Sequence, residues 1–257
     1  MKNKFTFAEA IKKAITYSMK KDPKMISYGL GIDDPKGIFG TTTNLQKIFG
    51  EKRVFDVPTS ENALTGICLG LSDNGFSVCL THQRFDFMLL SFDQIINNAA
   101  KIHFMYGGNL QSNITIRAIV GKGWGQGPTH SQNFQAMLGS VPGLKVYFPF
   151  NSNDIFNILY HSIFDPNPVI IIEHRWLYEL ESKIKFQKKI KSVEKVSSGN
   201  KGTIVCIGNT VLDAYILKKI FSQKKIKFDI IKILSINPLK VDMIAKSVKK
   251  TKNLILL

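Results

Sequence analysis

Glu61 heads the side chains of this sequence whose type and setting suit chemistry. It lies in Val57-Pro58-Thr59-Ser60-Glu61-Asn62-Ala63, between a β-type run (Val54, Phe55, Asp56) and a small-residue segment through Gly66 and Gly70. Pro58 and the Thr59 and Ser60 hydroxyls read as a strand-to-helix turn with a capping side chain, which puts the carboxylate in the first helical turn. Two pulls act on an acid there. Backbone N–H groups and the helix dipole favour the ionised form, whereas Ala63, Leu64 and Ile67 raise its pKa if they bury it. Such a group can exchange a proton with a ligand; a glutamate that only complements the dipole at the surface fits the same residues. His130 follows Gly127-Pro128-Thr129, and its ring suits either proton transfer near neutral pH or a structural hydrogen bond in a loop. Phe85 and Phe87 offer aromatic faces at a helix start, for a ligand or for the core. Arg84 beside them is either a cation for an anionic substrate group or a surface-exposed arginine.

The elements that must hold these residues follow from the pattern of apolar runs. Thr6 with Glu9 three residues on forms a capping box, and Phe7, Ala10, Ile11, Ala14 and Ile15 recur at helical spacing. Strands are expected at Met25–Gly29, Phe76–Thr81, Ile114–Val120, Lys145–Phe148 and Val169–Ile172. Between them come a helix over Asn44–Phe49 stopped by Gly50, a helix face of Met88, Leu89, Phe92, Ile95, Ile96 and Ala99, a short helix ending at Gly139, and a helix over Asp154–Phe164 capped by Ser152. Uninterrupted apolar strands separated by helices indicate an α/β fold with a parallel sheet covered on both faces. Gly121, Gly123, Gly125 and Gly127 lack both a following Walker lysine and the Gly-x-Gly-x-x-Gly spacing, so they read as close backbone approach to a site and not as a phosphate cradle.

Composition shifts after Glu173. Residues 180–200 are Lys- and Ser-rich and read as a surface connector, and a second β/α unit begins at Thr203: strand to Ile207, helix Leu212–Phe221, strand Phe228–Ile233, helix Val241–Val248 and a last strand Asn253–Leu257. The division expected is a larger domain over 1–178, a connector over 179–200 and a smaller, apparently truncated α/β domain over 201–257. The 257 residues carry 35 Lys and Arg against 19 acidic residues, a formal +16. These cations are spread, with groups at Lys183–Lys195 and Lys246–Lys252, and no nucleic-acid motif accompanies them; a solvated surface is the reading, ahead of an acidic protein partner and of nucleic acid. Cys68, Cys79 and Cys206 are isolated in apolar runs, which points to a reducing, cytoplasmic setting without a disulfide or metal framework. No apolar stretch reaches membrane-spanning length.

In order and spacing, several blocks together resemble one family. Glu51-Lys52-Arg53-Val54-Phe55-Asp56 precedes Pro58–Glu61; Phe85-Asp86-Phe87 and Ser91-Phe92-Asp93-Gln94-Ile95-Ile96-Asn97 precede Ala99-Ala100-Lys101. Gly107-Gly108, His130-Ser131-Gln132, Val141-Pro142-Gly143-Leu144-Lys145-Val146, Pro168-Val169 and Glu173 continue it over nearly the whole chain. The chain thus resembles the β-subunit of the thiamine-diphosphate-dependent decarboxylase component of 2-oxo acid dehydrogenases, the pyruvate and branched-chain type. The resemblance implies a transketolase-like pyrimidine-binding domain in which Glu61 hydrogen-bonds a ring nitrogen of the cofactor's aminopyrimidine, favouring its imino tautomer. Phe87, with Phe85 as runner-up, would pack on that ring, and His130 would position substrate. Because no Gly-Asp pair exists in the sequence, the Gly-Asp-Gly motif that holds the diphosphate through Mg²⁺ is expected on an α-subunit, in an α2β2 heterotetramer that hands its product to a lipoyl acyltransferase. Relatives run on past Leu257.

Departures from the family pattern concern the substrate side. Leu30 stands where relatives commonly have glutamate after Gly29, Arg84 where they have a small polar residue, and Asp86 where they often have asparagine. Gly127-Pro128-Thr129-His130 also resembles transketolases. The second half of a split transketolase-like enzyme or a carboligase therefore stays open, as does a noncatalytic scaffold that kept the fold.

Overall fold

The computed structural model describes residues 3–257; Met1 and Lys2, the start of the expected first domain, lie outside the described residues. The chain opens with β1 (Phe5–Thr6) and α1 (Phe7–Lys21) and continues through β2 (Ile26–Tyr28), α2 (Leu45–Phe49), β3 (Val54–Phe55), α3 (Glu61–Asp73), β4 (Val78–His82), α4 (Phe85–Met88), α5 (Ile102–Met105), β5 (Ile114–Val120), α6 (Gln135–Gly139), β6 (Lys145–Tyr147), α7 (Ser152–Ile163) and β7 (Val169–His174). After it come β8 (Glu181–Ser182), β9 (Val193–Ser197), β10 (Thr203–Ile207), α8 (Thr210–Gln223), β11 (Asp229–Ile233), β12 (Ser235–Asn237), α9 (Asp242–Thr251) and β13 (Leu254–Leu256).

Seven strands form the main sheet in the order β12-β6-β7-β5-β4-β2-β3, parallel except for β12, which runs antiparallel beside β6. The continuous apolar strands feed two cores. Along β7, Val169 and Ile171 face the core built with α1 and α7, while Ile170 and Ile172 face the core built with α3 and α4. Helix α1 begins where the sequence indicates: Thr6 accepts from the Glu9 N–H, and Glu9 accepts from the Thr6 N–H. Phe7, Ile11 and Ile15 are then fully buried, each stabilising by about 1.5–3 kcal/mol.

The structure corrects three local expectations. Helix α7 is capped by Asn151, not Ser152, because Asp154 at the third helical position closes a capping box with Asn151; the Ser152 hydroxyl bonds the Phe5 and Leu180 carbonyls instead. The apolar face at 88–99 is not one α-helix: α4 passes through a 3₁₀ turn at Leu89–Ser91 into a π-helix at Asp93–Ala99. The Lys- and Ser-rich stretch contains β8, paired with β1, and β9, an edge strand. Alternating charges hid β9, yet Glu194 reaches Lys232 at 3.0 Å and Lys195 reaches Asp229 at 2.7 Å.

The second sheet has the order β13-β10-β11-β9, with only β9 antiparallel. It is tied to the first by β12 and by Lys232, whose ammonium lies 2.6 Å from Asp154 at the start of α7. In the centre of the main sheet Arg117 on β5 is fully buried. Its Nε and Nη2 donate to Glu173 on β7 at 2.6 and 2.9 Å, and it also donates to Thr81 and Thr41; Tyr178 completes the carboxylate at 2.7 Å. Every parallel strand thus ends at one edge, and the loops after β2, β4, β5 and β7 meet there, the edge where open α/β sheets bind ligands.

Candidate active site

Glu61 is the first residue of α3 and follows Ser60, whose side chain makes no capping bond. The expected hydroxyl cap is absent, so the N–H groups of the first turn are not taken up by Thr59 or Ser60 side chains. Helix α3 is held on the sheet from beneath: the Tyr28 hydroxyl donates to the Leu64 carbonyl at 2.6 Å and lies 2.9 Å from the Cys68 sulfur, while its ring stacks on Phe55. Glu61 is half-buried and lines a narrow cleft with Gly29, Leu30, Leu64, His82, Gln83 and Phe87. The cleft is narrow because β2 and β4 lie close together. A methyl group on Gly29 would meet the Thr81 carbonyl at 2.5 Å.

Phe87 is half-buried and forms the aromatic wall of this cleft, and the His130 ring meets it edge-on, 5.3 Å between centroids. His130 Nδ1 lies 3.1 Å from the Thr129 hydroxyl, in the short 3₁₀ turn Pro128–His130. Glu61, Phe87 and His130 are therefore brought together. Phe85 is not: fully buried, it packs on Phe134 in the core and is no part of the cleft, because the residue two positions before Phe87 faces inward at the start of α4. Arg84, expected either at the substrate or on the surface, is buried, and donates to Gln126 of the glycine loop at 2.6 Å.

Sequence reasoning missed His82, the last residue of β4. It lines the cleft, its Nε2 has no partner, and burial lowers its pKa to about 4, so the ring is neutral at physiological pH. A polar residue closing an apolar strand next to Phe85-Asp86-Phe87 was the available signal. Also missed was Arg175, just after β7, whose guanidinium stacks 3.8 Å from the Phe39 ring centroid. Among the described residues no group of three or more His, Cys, Asp or Glu is placed to hold a metal ion, and Cys68, Cys79 and Cys206 are free thiols.

A family model described as transketolase, pyrimidine binding domain, matches residues 3–181, and another described as transketolase, C-terminal domain, matches residues 191–257. The chain belongs to the transketolase family. Among its relatives in this family is the mitochondrial pyruvate dehydrogenase E1 component subunit beta of Chaetomium thermophilum, 34% identical over 98% of this chain and 68% of that one. The corresponding subunit of Rickettsia felis is 33% identical over 98% and 78%. The subunit beta of an acetoin:2,6-dichlorophenolindophenol oxidoreductase from Cupriavidus necator is 32% identical over 99% and 79%. A split-gene transketolase, solved as an inactive beta4 tetramer, superposes with a TM-score of 0.81 at 18% identity, covering 98% of this chain and 79% of the other, which establishes the shared mixed α/β fold. For this transketolase-family chain, no helix of the described residues is long and apolar enough to cross a membrane.

Proposed function

We propose that this chain is the β-subunit of a two-chain thiamine-diphosphate-dependent enzyme that decarboxylates a 2-oxo acid and passes the acyl or aldehyde fragment to an acceptor such as lipoamide. The observation that carries this reading is the single cleft in which the Glu61 carboxylate and the Phe87 ring face one space, with His130 against Phe87. Its donor set fits the cofactor's aminopyrimidine: an aromatic wall, apolar sides from Leu30, Leu64 and Leu80, and a carboxylate to accept from the polar edge of a ring. Thiamine diphosphate, when bound, supplies the nucleophilic carbon and the electron sink for cleavage beside a carbonyl.

The chain's own residues orient and move protons. With the cofactor bound, Glu61 would hydrogen-bond the pyrimidine edge, Phe87 would exclude water and so strengthen that bond, and His130, beyond Phe87, would stabilise charge on the substrate side. Neutral His82 adds a polar ring to the cleft without a competing cation. In this reading residues 1–178 form the pyrimidine-binding unit, 179–200 the connector carrying β9, and 201–257 the C-terminal unit. An α-subunit supplies the diphosphate and Mg²⁺ half, in an α2β2 assembly in the cytoplasm. The exposed apolar run Phe104-Met105-Tyr106, with Phe104 89% exposed, supports a covering subunit.

A second reading, half of a split transketolase-like enzyme or carboligase, is favoured by Leu30 lining the cleft where relatives of the dehydrogenase type have an acid. Product formed without lipoamide would single it out. Replacing Glu61 by alanine in the assembled enzyme is expected to lower turnover by about 10³-fold while leaving the unfolding midpoint of the half-exposed site nearly unchanged. Substantial retained turnover contradicts the role given to Glu61.

A further inference from the structure

Four consecutive residues just after β4 each hold one residue of the segment 126–134. Arg84 Nη2 donates to the Gln126 side-chain oxygen at 2.6 Å, and the Arg84 guanidinium lies 5.1 Å from the Trp124 ring. Phe85 packs on Phe134, 6.0 Å between centroids. Asp86 Oδ1 accepts from both the backbone N–H and the side-chain amide of Gln132, at 3.2 and 2.9 Å. Phe87 meets the His130 ring edge-on. The segment is thus gripped on both sides of His130 by one short stretch of chain.

That grip matters because the segment does little to hold itself. Gly123, Gly125 and Gly127 have φ of 93°, 68° and 74°, and glycine backbone costs the most entropy to order. Between the end of β5 and the start of α6 the one regular element is the turn Pro128–His130. Its bonds are internal: the His130 N–H and the Ser131 hydroxyl donate to the Gly127 carbonyl at 3.4 and 3.0 Å, and the Ser131 N–H donates to the Pro128 carbonyl at 3.2 Å. They shape the turn without fastening it to the sheet. Among the described residues the His130 ring has only its neighbour Thr129 as a polar partner, so its place against Phe87 is set from outside the turn. Arg84 is buried, yet its Nη1 has no partner and Gln126 is its one hydrogen-bond acceptor. A buried guanidinium gains little stability on those terms; what it fixes is the loop.

We infer that Arg84 and Asp86 are positioning residues, which clip the segment 126–132 onto the start of α4 and so hold His130 against Phe87. That His130 serves turnover there rests on the cofactor reading of the cleft; the clip itself does not. At position 86 the accepting oxygen matters and its charge does not, because both Gln132 donors are neutral and an asparagine Oδ1 accepts in the same way. On the other side of the turn Gln126 is exposed, so that half of the clip can be cut without disturbing the core.

Amide hydrogen exchange of the full chain reads the clip without cofactor or partner. Asp86→Ala and Gln126→Ala are expected to speed exchange across 121–132 about tenfold, the effect of a lost hydrogen bond. Arg84→Met should match Gln126→Ala, and Asp86→Asn should stay near the unsubstituted chain. In the assembled enzyme the two alanine variants are expected to lower kcat about tenfold through misplacement of His130, to leave the Kd for thiamine diphosphate unchanged, and, at position 86, to be rescued by asparagine. A lowered unfolding midpoint with Kd and kcat worsening together would make the contacts structural and overturn the positioning role. Exchange unchanged in both alanine variants, or equally fast in Asp86→Asn and Asp86→Ala, overturns the clip. Faster exchange with kcat unchanged, in an enzyme that Glu61→Ala inactivates, overturns its part in turnover. If Glu61→Ala also keeps its turnover, the cofactor reading fails and the clip stands.

Discussion

Two buried arginines, one on β5 and one just beyond the end of the neighbouring β4, show how differently this fold treats a charge. Arg117, at the centre of the main sheet, has every side of its guanidinium engaged by Glu173, Thr81 and Thr41, with Tyr178 bracing the carboxylate. Burial alone would pull its pKa down, but Glu173 holds it up. Arg84, just beyond the end of β4, has one neutral partner and a second arginine for company. A charge that is fully matched stabilises the fold, whereas one left with a single neutral partner at the ligand-binding edge adds little to it.

Substitutions separate the two. Arg117→Met leaves Glu173 buried without its cation and is expected to cost about 3–5 kcal/mol in urea unfolding. A cost below about 1 kcal/mol would show that the pair does not anchor β5 to β7. A matched charge in the second sheet should behave in the same way at smaller scale. Asp229 is buried, which alone would raise its pKa, yet Lys195, Lys250, Ser247 and the Gly199 N–H hold it well below the usual carboxylate range. A depressed carboxylate contributes stability that is complete above its unfolded pKa and lost as pH falls through the folded value. Asp229→Asn is therefore expected to lower stability by about 2 kcal/mol at pH 7, with the gap between the two proteins shrinking below about pH 4. A gap that stays constant to lower pH would contradict that account of the ion cluster. The smallest effect belongs to the unmatched charge: Arg84→Met trades one hydrogen bond and ring contacts for relief of a buried cation, so stability should change by less than about 1 kcal/mol. A loss as large as that of Arg117→Met would erase the contrast and make Arg84 structural.

Much of this architecture was legible in the sequence because buried parallel strands leave a strong trace. Ile114–Val120 and Val169–Ile172 read directly as strands, and the Thr6 and Glu9 pair fixed the start of α1. Strand β9 was invisible because an edge strand built from Val193, Glu194, Lys195 and Val196 carries its stabilising charges in the pattern of a solvated linker. The Glu61 and Phe87 walls of the cleft were assigned through the family resemblance, whereas His82 ends β4 and Arg175 follows β7 in a separate pocket, and only the folded chain shows where either stands. The surface-or-substrate choice for Arg84 could not be made from its sequence neighbours, since its burial is decided by the distant Phe39 and Trp124.

We propose that Glu61 and Phe87 form one wall of a thiamine diphosphate site whose metal-holding wall belongs to another chain. Titrating thiamine diphosphate into this chain alone, and into the chain with its α-subunit and Mg²⁺, tests it most directly. Weak binding alone, sharp tightening in the assembly and loss of that tightening in Glu61→Ala are expected; equally tight binding by the isolated chain, or by the assembled Glu61→Ala form, would contradict it.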